Sequence, residues 1–564
     1  MTTATDPAHK PIGRSIVASS PVPPVQSPLM PADAKFYAVE PHSGRDLPTL
    51  YLAANNAEID QACWKAWQAY HAMQDRPASD RATLLETIAA RIGDLGEDLL
   101  ALASDETGLG PARLVSERER TVNTLKMFAE LVREGSWVEA SIDTGQPSRR
   151  PVPKPDIRRM LRPLGPVAVF GAGNFPLAYS TAGGDTASAL AAGCPVIVKG
   201  HPGHPGTGEL VAQAIARAVL ECEFDAGTFS FLHAGGPREM TIGQSLVKHP
   251  AVRAVGFTGS LAGGMALSRL AAERPDPIPV FAEMGSTNPV FCLPGALESQ
   301  AEAIAERLYG SATSANGQMC TCPGLLFAAR SDGAEALARA LAKHMNEAQP
   351  QMMLTRRTRK TFAQRIGQVM GTPGVEVRAG SPQAAHRDAA EADDKPGFAI
   401  RSSPVLFKAS FEQFRKFPTL HEEMFGPALL LVLCDRPEQL ADAAACIQGS
   451  LTGTIWASAI DEPLARRLQH ILEQRVGRLI FNGVPTGVEV CPSMVHGGPY
   501  PATNQPHTTA VGPFAMHRWC RPVCYQNVPE AFLPPELRNT NPLNIRRLVN
   551  SQWTDASSAP RKPE

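Results

Sequence analysis

Residues 314–324 read SANGQMCTCPG and set Cys320 and Cys322 one residue apart behind a Gly-Gln pair. A metal clip would need further thiolate or imidazole ligands, and no second Cys or His cluster lies near this segment in the chain. A disulfide across a single residue is strained. A nucleophilic thiolate and a buried structural cysteine remain, and the segment alone leaves both open. Three other segments carry residue types with chemical use. Asn174 in VFGAGNFP (169–176) offers a side-chain amide, or caps a helix opening at Phe-Pro. Glu283 in FAEMG offers a carboxylate, or is a solvated charge at a strand end. In FTGSLAGG (257–264) Gly259 permits close backbone approach, Ser260 offers a hydroxyl and Gly264 lets a following helix pack tightly. Those are features of a phosphate turn, or of an ordinary glycine-rich strand-to-helix turn. GAGNFP itself is no dinucleotide fingerprint, because Pro176 stands where the third glycine would be.

These residues need a scaffold, and 564 residues with 43% hydrophobic content suffice for a large core divided over two or more domains. From about Ala57 to Gly135 apolar residues recur at helical spacing. The Pro-rich segment 143–156 follows, and then short apolar runs alternate with helical patterns: PVAVFGAG, PVIVKG, TFSFLHAG and AVRAVGFTG, separated by crossover helices. That alternation predicts an α/β fold with a Rossmann-like cofactor domain. A second series, VFCLP, GLLFAAR, ALLLVLCD, GTIWAS and GRLIFNG, predicts another α/β domain. The expected organisation is a disordered tail over 1–35, a cofactor domain with N-terminal helices over 36–285, a catalytic domain over 286–480, a return to the cofactor domain over 481–550 and a tail over 551–564. The Ala-, Asp- and Pro-rich stretch 371–397 is expected to be an exposed insertion. With 54 basic against 55 acidic residues, no charge excess suggests a nucleic-acid or membrane partner. Eleven scattered cysteines without a CxxC pair form no disulfide framework, and the first residues lack the apolar core of a signal peptide. Both point to a cytoplasmic protein.

Taken together and in order, VFGAGNFP, VIVKGHP, VGFTGSLAGG, FAEMGSTNP, GQMC and EEMFGP resemble the signatures of the aldehyde dehydrogenase superfamily over about residues 36–535. The segment 482–503, NGVPTGVEVCPSMVHGGPYPAT, looks closest to the α-ketoglutaric semialdehyde dehydrogenases and related bacterial NADP-dependent enzymes. The resemblance implies that Cys320 is the nucleophile, that Asn174 and the Cys320 backbone N–H hold the oxyanion, and that Glu283 is the general base. It further implies that Lys199 holds the adenosine ribose, that Glu423 and Phe425 hold the nicotinamide ribose, and that Gly259, Ser260 and Gly264 form the phosphate turn. NAD-preferring members place an acid three residues after the lysine; Pro202 stands there, and with His201, His204 and Arg238 nearby NADP is expected, with NAD possible. The helix ERERTVNTLKMFAEL implies one wall of a substrate tunnel, with Arg120 facing inward beside Phe175 to bind a carboxylate, or else part of a solvated charged face. The implied reaction is oxidation of a small aldehyde, 2,5-dioxopentanoate to 2-oxoglutarate, by a homodimer or homotetramer with contact strands near 136–162 and the C-terminal region. Broad-specificity fatty or aromatic aldehyde oxidation is the alternative. A CoA-acylating enzyme and a catalytically silent relative fit less well, because the glutamate, the cysteine and the asparagine are all present.

Overall fold

The runs VAVF (Val167–Phe170), VIVK (Val196–Lys199) and FSFL (Phe229–Leu232) are buried at every position, as strands covered by helices on both faces must be. In the computed structural model, which describes residues 9–23, 31–382 and 397–557, they belong to one sheet. Its spatial order is Val280–Glu283, Ala254–Thr258, Val167–Phe170, Val196–Lys199, Phe229–Leu232, then Ile16–Val17 and Ser20–Pro21. The first five strands are parallel, joined by helices that include Gly184–Ala192, Pro205–Glu221 and Glu239–Lys248. Strand Val167–Phe170 is flanked by Val196–Lys199 on one side and by Ala254–Thr258 on the other. The loops leaving the C-terminal ends of these strands therefore diverge and open a crevice. Asn174, Lys199, the Gly259 turn and Glu283 all lie along that edge.

A second sheet runs Glu376–Ala379, Val405–Ser410, Ala428–Cys434, Leu325–Ala329, Val290–Cys292, Ser450–Trp456 and Val476–Phe481. Cys320 precedes strand Leu325–Ala329, and Glu423 and Phe425 precede strand Ala428–Cys434. Both segments thus enter at the N-terminal edge of this sheet and face the crevice of the first. After Phe481 the chain returns to the first sheet. Met284 N–H donates to Ala502 O at 2.8 Å, and Glu283 bridges to Thr503. That return lays the 496–504 loop against the end of strand Val280–Glu283.

A third sheet joins Cys520–Gln526, Ile157–Pro163, Ser141–Asp143, Arg547–Val549 and Gln552–Thr554, so the 136–162 region and the C-terminal region form one unit. The expected tails are corrected here. Within 1–35, residues 9–23 are packed: Ile16 is buried and pairs with Phe231, and the N–H groups of Ile12 and Gly13 donate to the buried carboxylate of Glu209 at 2.7 and 2.9 Å. Two apolar residues in a Pro- and Ser-rich stretch are enough when a sheet edge and a buried acceptor receive them. Residues 1–8 and 24–30 lie outside the described residues. At the other end Gln552–Thr554 pairs with Arg547–Val549, so only 558–564 lie outside them. In the expected insertion, Glu376–Ala379 is an antiparallel edge strand, and 383–396 lie outside the described residues.

Candidate active site

The cysteine loop is fixed by polar side chains rather than by regular structure. Helix Pro294–Thr313 ends in a turn where Ala315, Asn316 and Gly317 all have positive φ. At Gly317 a Cβ would lie 2.2 Å from the Gly426 backbone, so only glycine fits. Gln318 of the Gly-Gln-Met-Cys run is an anchor. Its amide donates to Ala315 O at 3.0 Å and to Met352 O at 3.2 Å, and its carbonyl accepts from Leu354 N–H at 2.9 Å. Asn288 donates to Cys320 O and Cys322 O, both at 2.8 Å. Cys322 is buried, its thiol donates to Ser311 O at 3.4 Å, and burial pushes it up to about 12. Its surroundings are those of a packing residue. Cys320 keeps intermediate exposure.

Cys320 Sγ lies 3.5 Å from His496 Nε2, which lies 3.1 Å from Glu283 Oε1. His496 and Glu283 are buried, at 2% and 5% exposure. Burial first, and then the charge of Glu283, push the Cys320 thiol well above the ordinary cysteine range. Burial also raises the Glu283 carboxyl, but the contacts with His496 and Cys320 outweigh it and hold the group below the ordinary glutamate range. A single ring nitrogen thus faces both a sulfur and a carboxylate oxygen. An Nε2–H placed there can be shared between the two acceptors. His496 is one of the residues that the sequence reading missed. Its only signal was VHGG inside the divergent 482–503 segment, and its partners stand 176 and 213 positions away.

Helix Pro111–Glu134 shapes the wall next to this array. Buried Glu117 accepts the N–H groups of Leu177 and Ala178 at 2.9 and 3.0 Å, which fixes the segment carrying Asn174 and Phe175. The Asn174 amide donates to Gln318 O at 2.9 Å, so it adjoins the cysteine loop with a second amide hydrogen in hand. The Arg113 guanidinium stacks 4.5 Å over the Phe175 ring. Arg120 is partly buried and donates to the Tyr179 hydroxyl at 2.9 Å and to Val488 O at 2.8 Å. Tyr179 lies between Phe175 and His496, at centroid distances of 5.0 and 6.3 Å. From the opposite side Arg478, also absent from the sequence reading, donates to Gly487 O at 2.8 Å and to Pro485 O. Burial lowers its pKa, and Cys320 and Tyr179 are near enough to oppose that shift. Two arginines, one on helix Pro111–Glu134 and one on strand Val476–Phe481, thus hold consecutive carbonyls of one loop.

The remaining residues expected to hold a cofactor lie at strand ends of the two sheets. The N-terminus of helix Leu261–Ala272 is exposed, and Ser260 caps it by accepting from Gly263 N–H at 3.2 Å. A Cβ on Gly259 would press 2.7 Å from the Phe257 ring, and one on Gly264 2.7 Å from Met284 Sδ. Across the crevice Glu423 and Phe425 are partly exposed; burial raises Glu423 to about 8, against a hydrogen bond from Ser286. Lys199 is buried and lies 2.9 Å from Glu239. Pro202 occupies the turn that follows. Arg238 instead turns to Asp33, with both hydrogen bonds at 2.9 Å. Its neighbour Glu239, which the sequence reading did not single out, is the residue in contact with Lys199.

The comparisons with known proteins agree with this layout. The family model described as "Aldehyde dehydrogenase family" matches residues 30–499. The chain is 46% identical over 514 residues to alpha-ketoglutaric semialdehyde dehydrogenase 2 of Azospirillum brasilense, covering 91% of this chain and 95% of that protein. It is 44% identical to the alpha-ketoglutaric semialdehyde dehydrogenase of Acinetobacter baylyi, covering 90% and 94%. Among solved structures it superposes on PnpE in complex with nicotinamide adenine dinucleotide with a TM-score of 0.74, at 21% identity, covering 93% of this chain and 100% of that one. The two stacked α/β units, the cysteine between them and the match along most of the chain lead to one assignment: the chain belongs to the aldehyde dehydrogenase family.

Proposed function

We propose that the protein oxidises 2,5-dioxopentanoate to 2-oxoglutarate through a thioester on Cys320, using NADP and accepting NAD. The observation that carries the chemistry is the unbroken Cys320–His496–Glu283 contact chain, with arginines on the adjoining wall. His496 takes the Cys320 proton, and the Glu283 carboxylate stabilises the resulting imidazolium. The thiolate attacks the aldehyde carbon, and the oxyanion so formed is met by the second amide hydrogen of Asn174 and the Cys320 backbone N–H. A bound nicotinamide supplies hydride acceptance at this site, and Lys199, Ser260, Glu423 and Phe425 would hold its dinucleotide. Glu283 then takes a proton from the water that cleaves the thioester.

The substrate reading draws on the names of the two curated relatives and on Arg120 and Arg478, whose forks can hold a distal carboxylate. NADP is favoured by Pro202, which stands in place of an acid three residues after Lys199. No helix among the described residues is long and apolar enough to cross a membrane. We place the enzyme in the cytoplasm as a homodimer or homotetramer joined along the edge strand Cys520–Gln526. A panel of aldehydes assayed with both cofactors tests the reading. The kcat/KM for 2,5-dioxopentanoate should exceed those for hexanal and benzaldehyde by at least about tenfold. A preference for hexanal would overturn the substrate, and a kcat/KM for NAD more than about tenfold above that for NADP would overturn the cofactor.

Arg120→Ala separates recognition from packing. Losing a charged hydrogen-bonding partner should cost about 2 kcal/mol, roughly 30-fold in KM, for the anionic semialdehyde. Hexanal should be nearly unaffected. Equal losses on both aldehydes would make Arg120 a support for Tyr179 and the Val488 loop.

A further inference from the structure

The donor atoms that serve the proposed catalysis also meet the requirements of a different ligand. Cys320 Sγ, His496 Nε2 and a Glu283 carboxylate oxygen all lie within 4.8 Å of one another. Two of the separations are 3.5 Å (sulfur to nitrogen) and 3.1 Å (nitrogen to oxygen). Around tetrahedral zinc, bonds of about 2.3 Å to sulfur and about 2.0–2.1 Å to nitrogen or oxygen put neighbouring donors roughly 3.3–3.6 Å apart. The sulfur–nitrogen separation falls in that range and the nitrogen–oxygen pair lies slightly closer, so a small side-chain adjustment would admit the ion. The second carboxylate oxygen, Glu283 Oε2, is buried and makes no hydrogen bond, a costly state for a polar atom that a metal ion would relieve.

We propose that these three side chains form a Zn²⁺ site, and that zinc binding there reversibly closes the enzyme. Thiolate, imidazole and carboxylate suit a borderline ion such as zinc, whereas magnesium and calcium take oxygen ligands. The three ligands come from separately braced segments, so little rearrangement is needed. Asn288 holds the Cys320 carbonyl, Thr509 Oγ1 accepts the His496 backbone N–H at 2.9 Å, and the Glu283 carbonyl accepts Gly259 N–H at 3.0 Å. The fourth position is left to a water. When the zinc–sulfur bond forms, the thiol proton leaves to solvent, imidazole binds through its neutral Nε2, and no electron is transferred. The nucleophile, the histidine and the base are all withdrawn together. This site does not depend on which aldehyde is the physiological substrate.

Cobalt(II) is the spectroscopic probe. Titrated into chelator-treated enzyme, it should saturate at one equivalent, with thiolate-to-cobalt absorption in the near ultraviolet and intense visible bands of a tetrahedral ion, all bleached by Zn²⁺. Cys320→Ser should lose the near-ultraviolet band, whereas Cys322→Ser keeps it. His496→Asn and Glu283→Gln should each weaken binding by about tenfold or more. In the wild type, Zn²⁺ should inhibit competitively with aldehyde, and chelator should restore full activity. Thiolate absorption that survives in Cys320→Ser, cobalt affinity unchanged in both His496→Asn and Glu283→Gln, or weak octahedral spectra alone would overturn the proposal.

Discussion

Replacing Cys320 with serine is expected to lower aldehyde oxidation by about 10⁴-fold or more, the scale seen when a covalent nucleophile is removed. The hydroxyl would sit in the same braced loop, held by Asn288 and Gln318, so the loss would be chemical rather than structural. A serine hydroxyl ionises far less readily than a thiol and cannot give a thioester. Cys322→Ser should retain most turnover, because Cys322 is buried and its thiol serves only as a weak donor to Ser311 O and Ser314 O. Steady-state rates for the two variants decide the assignment, and the reverse ranking would refute it.

His496→Asn should show the next large loss, roughly 10²- to 10³-fold near pH 7, within the range for removing a positioned acid–base group. The sign of its pH dependence follows from the environment of the thiol. Burial and the Glu283 charge both raise the Cys320 pKa, so without an imidazolium the neutral thiol dominates at neutral pH. The rate of the variant should climb with pH as the thiolate appears, while the wild type reaches its plateau at lower pH. Asparagine keeps a hydrogen-bonding group beside Glu283, so a folded variant with a wild-type pH profile would remove His496 from the chemistry.

Much of this was readable before the fold was known, and the limits have physical causes. Strands such as VAVF and ALLLVLC announce themselves because burial on both faces favours an unbroken apolar run. Cys320, Glu283 and Asn174 stood out because each lies in a short run of distinctive residues. Strand Val405–Ser410 escaped because its Lys408 and Ser410 interrupt the apolar run and it borders the insertion. Residues 9–23 escaped because their order comes from Glu209 and a sheet edge about 200 positions away. His496, Arg478 and Glu239 escaped for the same reason: a lone histidine, arginine or glutamate gains meaning only from neighbours that the tertiary structure supplies. Arg238 was expected near the cofactor lysine. Its guanidinium pairs with Asp33 on the N-terminal segment, while the next residue, Glu239, meets Lys199.

Rapid quenching of Glu283→Gln bears most directly on the central claim, that oxidation runs through a thioester at Cys320 which Glu283 clears. Mixed with 2,5-dioxopentanoate and NADP, this variant should release one reduced cofactor per active site and then stall. Intact mass should show a single acyl adduct, and peptide mapping should place it on Cys320. Continuous turnover without a burst, or an adduct on any other residue, would contradict the account.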